Sequence, residues 1–280
     1  MKEKVLYFEC KTGAAGDMLM GALYALMAEE EKERFLSALN SIDQEIQVAA
    51  EKKTVKGICG LHMKVQVCGQ EEGEQERHCD DHSPGHSHSH GGNHSDSESP
   101  GHSHGESHSH TSYLQILDKI SHLELSENVR NHAAEIYRTI GEAESKVHGT
   151  VIEQIHFHEV GSLDALVDVV GCCLAIEMLQ IDRIEASPVC VGNGTVRCAH
   201  GILPVPAPAT AEIIKGIPVY TSKFDGELLT PTGAAVLKHF VQSYTKEMEM
   251  EAEAVGYGMG TKEFKQVSFV RTFLGYRERK

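Results

Sequence analysis

Two sets of side chains in this 280-residue chain are spaced for chemistry. The first is the block IHFHEVGSLDALVDVVGCC, in which Ile155 and Phe157 alternate with His156 and His158. In an extended segment that alternation puts both imidazoles on one side. Glu159 follows, Gly161 turns the chain, and Ser162 is placed to cap a helix with Asp164 and Asp168 four residues apart on a shared face. The helix around them is almost wholly apolar: Leu163, Leu166, Val167, Val169, Val170, Leu174 and Ile176. Carboxylates on such a helix are costly to bury unless a cation or metal faces them. His156, His158, Glu159, Asp164 and Asp168 are therefore the candidate polar cluster. The competing reading is a pair of buried acids tied to backbone amides.

The second set lies between Gln70 and Thr111 and holds ten of the 18 histidines: His78, His82, His86, His88, His90, His94, His102, His104, His108 and His110. The unit Pro-Gly-His-Ser-His occurs at Pro84 to His88 and again at Pro100 to His104. His-x-His in an extended chain lets two imidazoles hold one borderline metal, and the affinity order admits Ni, Cu, Zn or Co. The segment reads as a metal-collecting loop, with a merely solvated His-rich linker as the alternative. It contains no Leu, Ile, Val or Phe, so it cannot bury enough apolar surface to offset its ordering entropy and is expected to be disordered. Its nine acidic residues against the single base Arg77 carry −8 of the chain's net charge of −15.

That charge, from 26 basic and 41 acidic residues, weighs against nucleic acid or an anionic membrane as partner, since both call for clustered Lys and Arg. Neither a signal peptide nor a run of about 18 apolar residues is evident, so a soluble, cytoplasmic protein is expected. The eight cysteines form no CxxC pair and read mostly as small apolar fillers in a reducing compartment.

The elements that must position these residues alternate. Lys4 to Cys10 reads as a buried strand, Gly13-Ala14-Ala15-Gly16 as a turn, and Asp17 as the cap of a helix through Met18, Leu23 and Met27. A strand, a glycine-bearing loop and a helix N-terminus can hold an anion, although KTGAAGDM is neither a Walker loop nor GxGxxG and its glycines could serve the turn alone. Further strands are expected at Ile46 to Ala50 and Leu61 to Cys68, and helices at Tyr113 to Ile120 and Glu127 to Val147, with His122, His132 and His148 on the surface. Beyond the His/Asp block, a strand ends in the turn Gly192-Asn193-Gly194. His200 follows, then a short helix at Ala209 to Lys215 and a helix capped by Thr230 with Pro231 at its first position. Strands around Val255, Tyr257, Val267, Phe269 and Phe273 close the chain. The fold class is α/β, a mixed sheet with flanking helices interrupted by the His-rich insertion. The expected divisions are an α/β part over 1–69, the insertion over 70–111, and a helical segment plus α/β part over 112–280.

Five segments together resemble the nickel insertion proteins of nickel-pincer cofactor biosynthesis, the LarC type: YFECKTGAAGDM at Tyr7 to Met18, HFHEVGSLDALVDVVG at His156 to Gly171, SPVCVGNGTVRCAHGILPVPAPAT at Ser187 to Thr210, ELLTPTGAA at Glu227 to Ala235, and GYGMGT at Gly256 to Thr261. The resemblance implies a lyase-class, CTP-dependent metal insertase. It would place Ni²⁺ into pyridinium-3,5-bisthiocarboxylic acid mononucleotide, forming Ni–S bonds and a Ni–C bond to the ring. Thiocarboxylate sulfur would draw nickel from imidazole and carboxylate ligands, and a base must accept the ring proton. On this reading His156, His158 and His200 are ligands or bases, and Glu159, Asp164 and Asp168 orient groups or hold metal. Gly13, Gly16, Asp17, Gly192, Gly194 and Thr230 bind the mononucleotide. The ten histidines of the insertion collect metal. Glu9 and Lys11-Thr12 depart from the family's usual Asp and aromatic-Ser pair. The chain resembles the family's amino-terminal half, so CTP and its divalent cation are expected to bind a C-terminal module on a second polypeptide or a read-through product. A homo-oligomer stays open. The alternative function is a non-catalytic nickel metallochaperone or store, and a zinc hydrolase is a third reading.

Overall fold

The structure, a computed structural model, describes residues 2–71, 111–157 and 160–279. The ten histidines of the insertion, together with His158 and Glu159, lie outside the described residues. Strand β1 (Lys2–Glu9) has Val5, Leu6, Tyr7 and Phe8 buried in succession, as a strand covered on both faces requires. Helices α1 (Gly16–Tyr24) and α2 (Glu29–Asn40) follow, then β2 (Ile46–Val55), β3 (Ile58–Val67) and β4 (Gln70–Glu71). The chain resumes at β5 (Thr111–Ser112), with α3 (Tyr113–His122), α4 (Glu127–His148), β6 (His156–Phe157), α5 (Leu163–Leu179), β7 (Arg183–Ala186) and β8 (Val189–Asn193). A hairpin of β9 (Thr195–Cys198) and β10 (Gly201–Pro204) leads to α6 (Pro208–Ile213), β11 (Val219–Thr221), β12 (Gly226–Glu227), α7 (Pro231–Phe240), β13 (Ser243–Tyr244), β14 (Glu251–Met259) and β15 (Phe269–Glu278).

The expected mixed α/β architecture is present. One sheet runs in the order β13-β7-β1-β15-β14-β3-β2, with β4 paired to β3. β7 and β13 run parallel to β1, β15 is antiparallel to both β1 and β14, and β3 is parallel to β14. Stretches on either side of the insertion therefore share a single sheet. Helix α1 lies directly on it, and glycines permit the approach: a Cβ at Gly258 would strike the Met18 carbonyl, and one at Gly256 the Ala22 carbonyl. The spaced glycines of GYGMGT thus serve helix-on-sheet contact. Helix α5 packs on α1, where Gly171 accommodates Met20, and α4 and α7 pack on α5.

Several expectations need correction. Gln70, Glu71 and Thr111, assigned to the disordered insertion, sit in β4 and β5, because each pairs with a strand of the folded part: β4 with Gln66–Val67 and β5 with His156–Phe157. Helix α2 was not anticipated, since EEEKERFLSALN buries only Phe35 and Leu39. Asp17 does not cap α1. Ala15 occupies the N-cap, and Asp17 falls within the first turn. His132 is not simply a surface residue; its Nδ1 lies 2.8 Å from Nε2 of His239 on α7. No helix among the described residues is long and apolar enough to cross a membrane.

Candidate functional site

A cavity of about 130 Å³ opens beyond the carboxyl end of β1, where that strand turns into α1. Its walls come from five places. The first turn of α1 supplies Gly16 and Asp17, α5 supplies Asp164 and Asp168, and the edge of β12 with the start of α7 supplies Glu227, Thr230 and Thr232. Met63 and Val65 of β3 and Val160 give an apolar floor, and the segment between β14 and β15 adds Thr261, Lys262, Phe264 and Ser268. Four carboxylates and one cation face the same space.

Each carboxylate arrives for a local reason. The apolar face of α5 is committed to the core, with Val167, Val169 and Val170 fully buried, so Asp164 and Asp168 are left on the stripe toward α1 and stay half-buried. A Cβ at Gly16 would stand 2.6 Å from Asp168 Oδ2 and 2.7 Å from its Cβ, so Gly16 is bare because the aspartate occupies its space. Asp17 accepts from the Met18 amide (2.7 Å) through Oδ1, and from the Thr261 amide (2.8 Å) and hydroxyl (3.2 Å) through Oδ2. A carboxylate at a helix N-terminus is also favoured by the helix dipole. Thr230 caps α7 by accepting from the Gly233 amide at 3.2 Å, so Thr230 and Thr232 stand at the rim.

The negative field of this cluster is felt by its neighbours. Tyr137, fully buried on α4, is held protonated far above the usual phenol range, first by burial and then by Asp164 and Asp168. The Cys172 thiol is pushed up by burial and then by Asp168, with Cys173 and Asp17 adding to it. The cavity therefore suits a cation. Among the described residues no three of His, Cys, Asp and Glu are arranged to enclose a metal ion.

Of the residues singled out in the sequence, Gly16, Asp17, Asp164, Asp168 and Thr230 meet in this cavity. Gly16 and Asp17 face carboxylate, so the first loop does not present the anion cradle expected of it. Gly13, at φ +96°, packs its Cα on the Leu228 carbonyl, where Ala14 pairs with the Leu228–Thr230 segment (Ala14 N to Leu228 O, 2.8 Å), and it stands outside the lining. Gly192 packs on the Gly226 carbonyl, and Gly194, at φ +79°, is in the turn between β8 and β9. Neither lines the cavity. His156 is exposed on β6 and does not line the cavity. His200 sits on the β9–β10 turn against His148, with ring centroids 5.0 Å apart, and does not line the cavity. The wall residues Met63, Glu227, Thr232, Lys262, Phe264 and Ser268 were not picked out, although Glu227 and Thr232 sat in a quoted motif.

The fold and cavity define an α/β protein with an acidic pocket where its amino-terminal strand meets its first helix. A family model described as nickel insertion protein matches residues 6–280, and the chain belongs to that family. Among curated relatives, a protein of Geobacillus kaustophilus is 37% identical over 278 residues, covering 99% of this chain and 61% of its own length. One of Clostridium kluyveri is 37% identical over 278 residues, covering 99% and 63%. One of Staphylococcus epidermidis is 35% identical over 269 residues, covering 96% and 58%. All three are named pyridinium-3,5-bisthiocarboxylic acid mononucleotide nickel insertion protein. The chain thus spans about three fifths of the length of these relatives. No solved structure matches it.

Proposed function

We propose that this chain supplies the metallation site of a nickel insertase that converts pyridinium-3,5-bisthiocarboxylic acid mononucleotide to its nickel-pincer form. The observation that carries this is the cavity in which Asp17, Asp164, Asp168 and Glu227 converge over an apolar floor. Its charge matches both a pyridinium ring and an incoming Ni²⁺. Hard carboxylates hold nickel loosely enough for the softer thiocarboxylate sulfurs to take it. Asp168 is the base: as the Ni–C bond forms, the ring C–H bond breaks and its proton passes to the carboxylate, with no change of oxidation state. Asp164, one helical turn away, orients the ring. The reaction is of the lyase class and takes place in the cytoplasm.

His156, with His158 and Glu159, passes metal from the histidine-rich segment toward these carboxylates. The segment's return strand is hydrogen-bonded to the strand carrying His156, and its departure is paired to β3, whose Met63 and Val65 floor the cavity. CTP, with its divalent cation, acts through the part of the relatives' length outside the match, so insertion needs that module as partner.

The test is to incubate the full chain and that module with precursor, Ni²⁺, CTP and Mg²⁺, and to read the mass and absorbance of the product. Nickel should be incorporated, Asp168→Asn should slow it about 100-fold or more, as loss of a general base does, and deletion of 72–110 should raise the nickel required without lowering the saturated rate. A wild-type chain that binds nickel but never metallates the precursor under these conditions refutes the insertase and leaves a metallochaperone.

A further inference from the structure

Among the described residues the cavity has one cation in its wall, Lys262. Lys262 makes no ion pair or hydrogen bond to another side chain or carbonyl among the described residues, whereas Lys11, Lys53, Lys56 and Arg271 are committed. Lys11 and Arg271 both go to Glu9. The Lys53 ammonium donates to the carbonyls of Gly260 (2.8 Å) and Thr261 (3.4 Å), and Lys56 to that of Lys265.

The segment that carries Lys262 is fastened rather than loose. At its start, Thr261 is gripped from one side by Asp17 through two hydrogen bonds, while Lys53 holds the carbonyls from the other. At its end, the Ser268 hydroxyl donates to the Thr12 carbonyl at 3.1 Å, and the Thr12 hydroxyl both donates to the Phe269 carbonyl (2.7 Å) and accepts from its amide (3.2 Å). In the middle, the Phe264 ring packs on Gly226, where a Cβ would come within 2.9 Å of it. The segment is therefore a strap across the cavity, and it points an exposed lysine and a half-buried phenyl ring at the space the carboxylates enclose.

We propose that Lys262 is the specificity-determining residue that holds the phosphate of the mononucleotide, and that Asp17 is the positioning residue that keeps it in place; this rests on the insertase reading above. The substrate has charges of both signs, a cationic ring and a dianionic phosphate. Four carboxylates accept the ring and repel the phosphate, so the two ends of the molecule must be separated, and the strap supplies the one cation among the described lining residues. Phe264 lies beside Lys262 on the same strap, and its ring face suits the pyridinium. An ammonium is a compact point charge able to donate to phosphate oxygen without a fixed fork, so the grip tolerates small differences in pose.

The experiment is equilibrium binding, without nickel or CTP, of the precursor mononucleotide and of the same compound dephosphorylated, to the full wild-type chain and to Lys262→Ala, Lys262→Arg and Asp17→Asn. The wild type should favour the nucleotide by about 10- to 100-fold, the range of a charge-assisted hydrogen bond. Lys262→Ala should lose that preference entirely by weakening the nucleotide and leaving the nucleoside unchanged. Lys262→Arg should keep most of it, and Asp17→Asn should lose part of it. Lys262 is exposed, so its variants should fold, which thermal unfolding checks. If Lys262→Ala discriminates as the wild type does, the phosphate assignment is wrong while the insertase reading stands. If the wild type binds neither compound, the insertase reading fails and this inference fails with it.

Discussion

Substituting Gly16 by alanine tests the contact on which the acidic cavity depends. The new methyl would stand 2.6 Å from Asp168 Oδ2 and 2.7 Å from Asp168 Cβ, both inside the 3.0 Å that real Cβ atoms respect. Swinging the carboxylate away relieves only the first contact. The second involves an atom fixed to the backbone of α5, so α1 and α5 must part by roughly 0.5 Å, and overpacking of this kind costs about 1–3 kcal/mol. Alanine restores up to about 1 kcal/mol by restricting the unfolded chain. The net expectation is a loss of about 1–2 kcal/mol, a fall of roughly 0.5–1 M in the urea midpoint for a slope near 2 kcal/mol per M. Insertion should suffer more than stability does, because a shift on the order of 1 Å in a reacting group can lower a rate about 100-fold. The assay pairs urea unfolding, followed by circular dichroism, with nickel incorporation under the conditions proposed above. A Gly16→Ala protein with both the wild-type midpoint and the wild-type rate would show that Asp168 does not stand against Gly16 and that the site is misplaced.

Gly258→Ala should be worse for stability by about 1–3 kcal/mol, because the methyl meets the Met18 carbonyl on the helix backbone; an unchanged melting temperature would contradict direct seating of α1 on β14. His239 is lowered below its ordinary value of 6.5 first by burial and then by His132, with Glu135 opposing. The unfolded chain then takes up this proton before the folded one does, so stability should fall as pH drops below about 6.5, and His239→Gln should flatten that part of the curve in denaturation at several pH values. Cys59 and Cys68 are exposed, whereas Cys10, Cys172 and Cys173 are buried with their thiols pushed up mainly by burial. Iodoacetamide should therefore label the first two in the native protein and the other three only with unfolding, as peptide mass mapping will show.

The aspartates of α5 could be found from the chain alone because they break an otherwise apolar helix, and a break in a burial pattern is local information. Asp164 and Asp168 duly face a cavity. Gly16 and Asp17 were found for a different reason from the one the structure gives. Their loop has the look of an anion cradle, yet it is the absence of a side chain at Gly16 that lets Asp168 approach, a fact that depends on how α5 lies on α1. GYGMGT was visible as a motif, but its spacing has meaning only once α1 is seated on β14. Lys262, in turn, could not be selected by any pattern. It is one of 26 basic residues, on an irregular segment between two strands, and it becomes notable only when Lys11, Lys53, Lys56 and Arg271 are seen to be committed elsewhere.

The histidines show the opposite limit. They stood out in the composition, but His200 and His148 face each other, His132 and His239 tie α4 to α7, and none of the four lines the cavity. An imidazole contributes to a site only if its backbone arrives there, and histidine is as useful for joining helices as for holding metal. Two of the carboxylates emerge from a helix whose apolar face is committed to the core, and among the described residues that line the cavity the one cation is Lys262. The cavity lining thus carries both signs of charge, which suits a ligand that is itself divided into a cationic and an anionic part. Reversing the strap's charge with Lys262→Glu should consequently weaken the mononucleotide more than Lys262→Ala does while sparing the dephosphorylated compound, an order that a purely steric role for the strap would not produce.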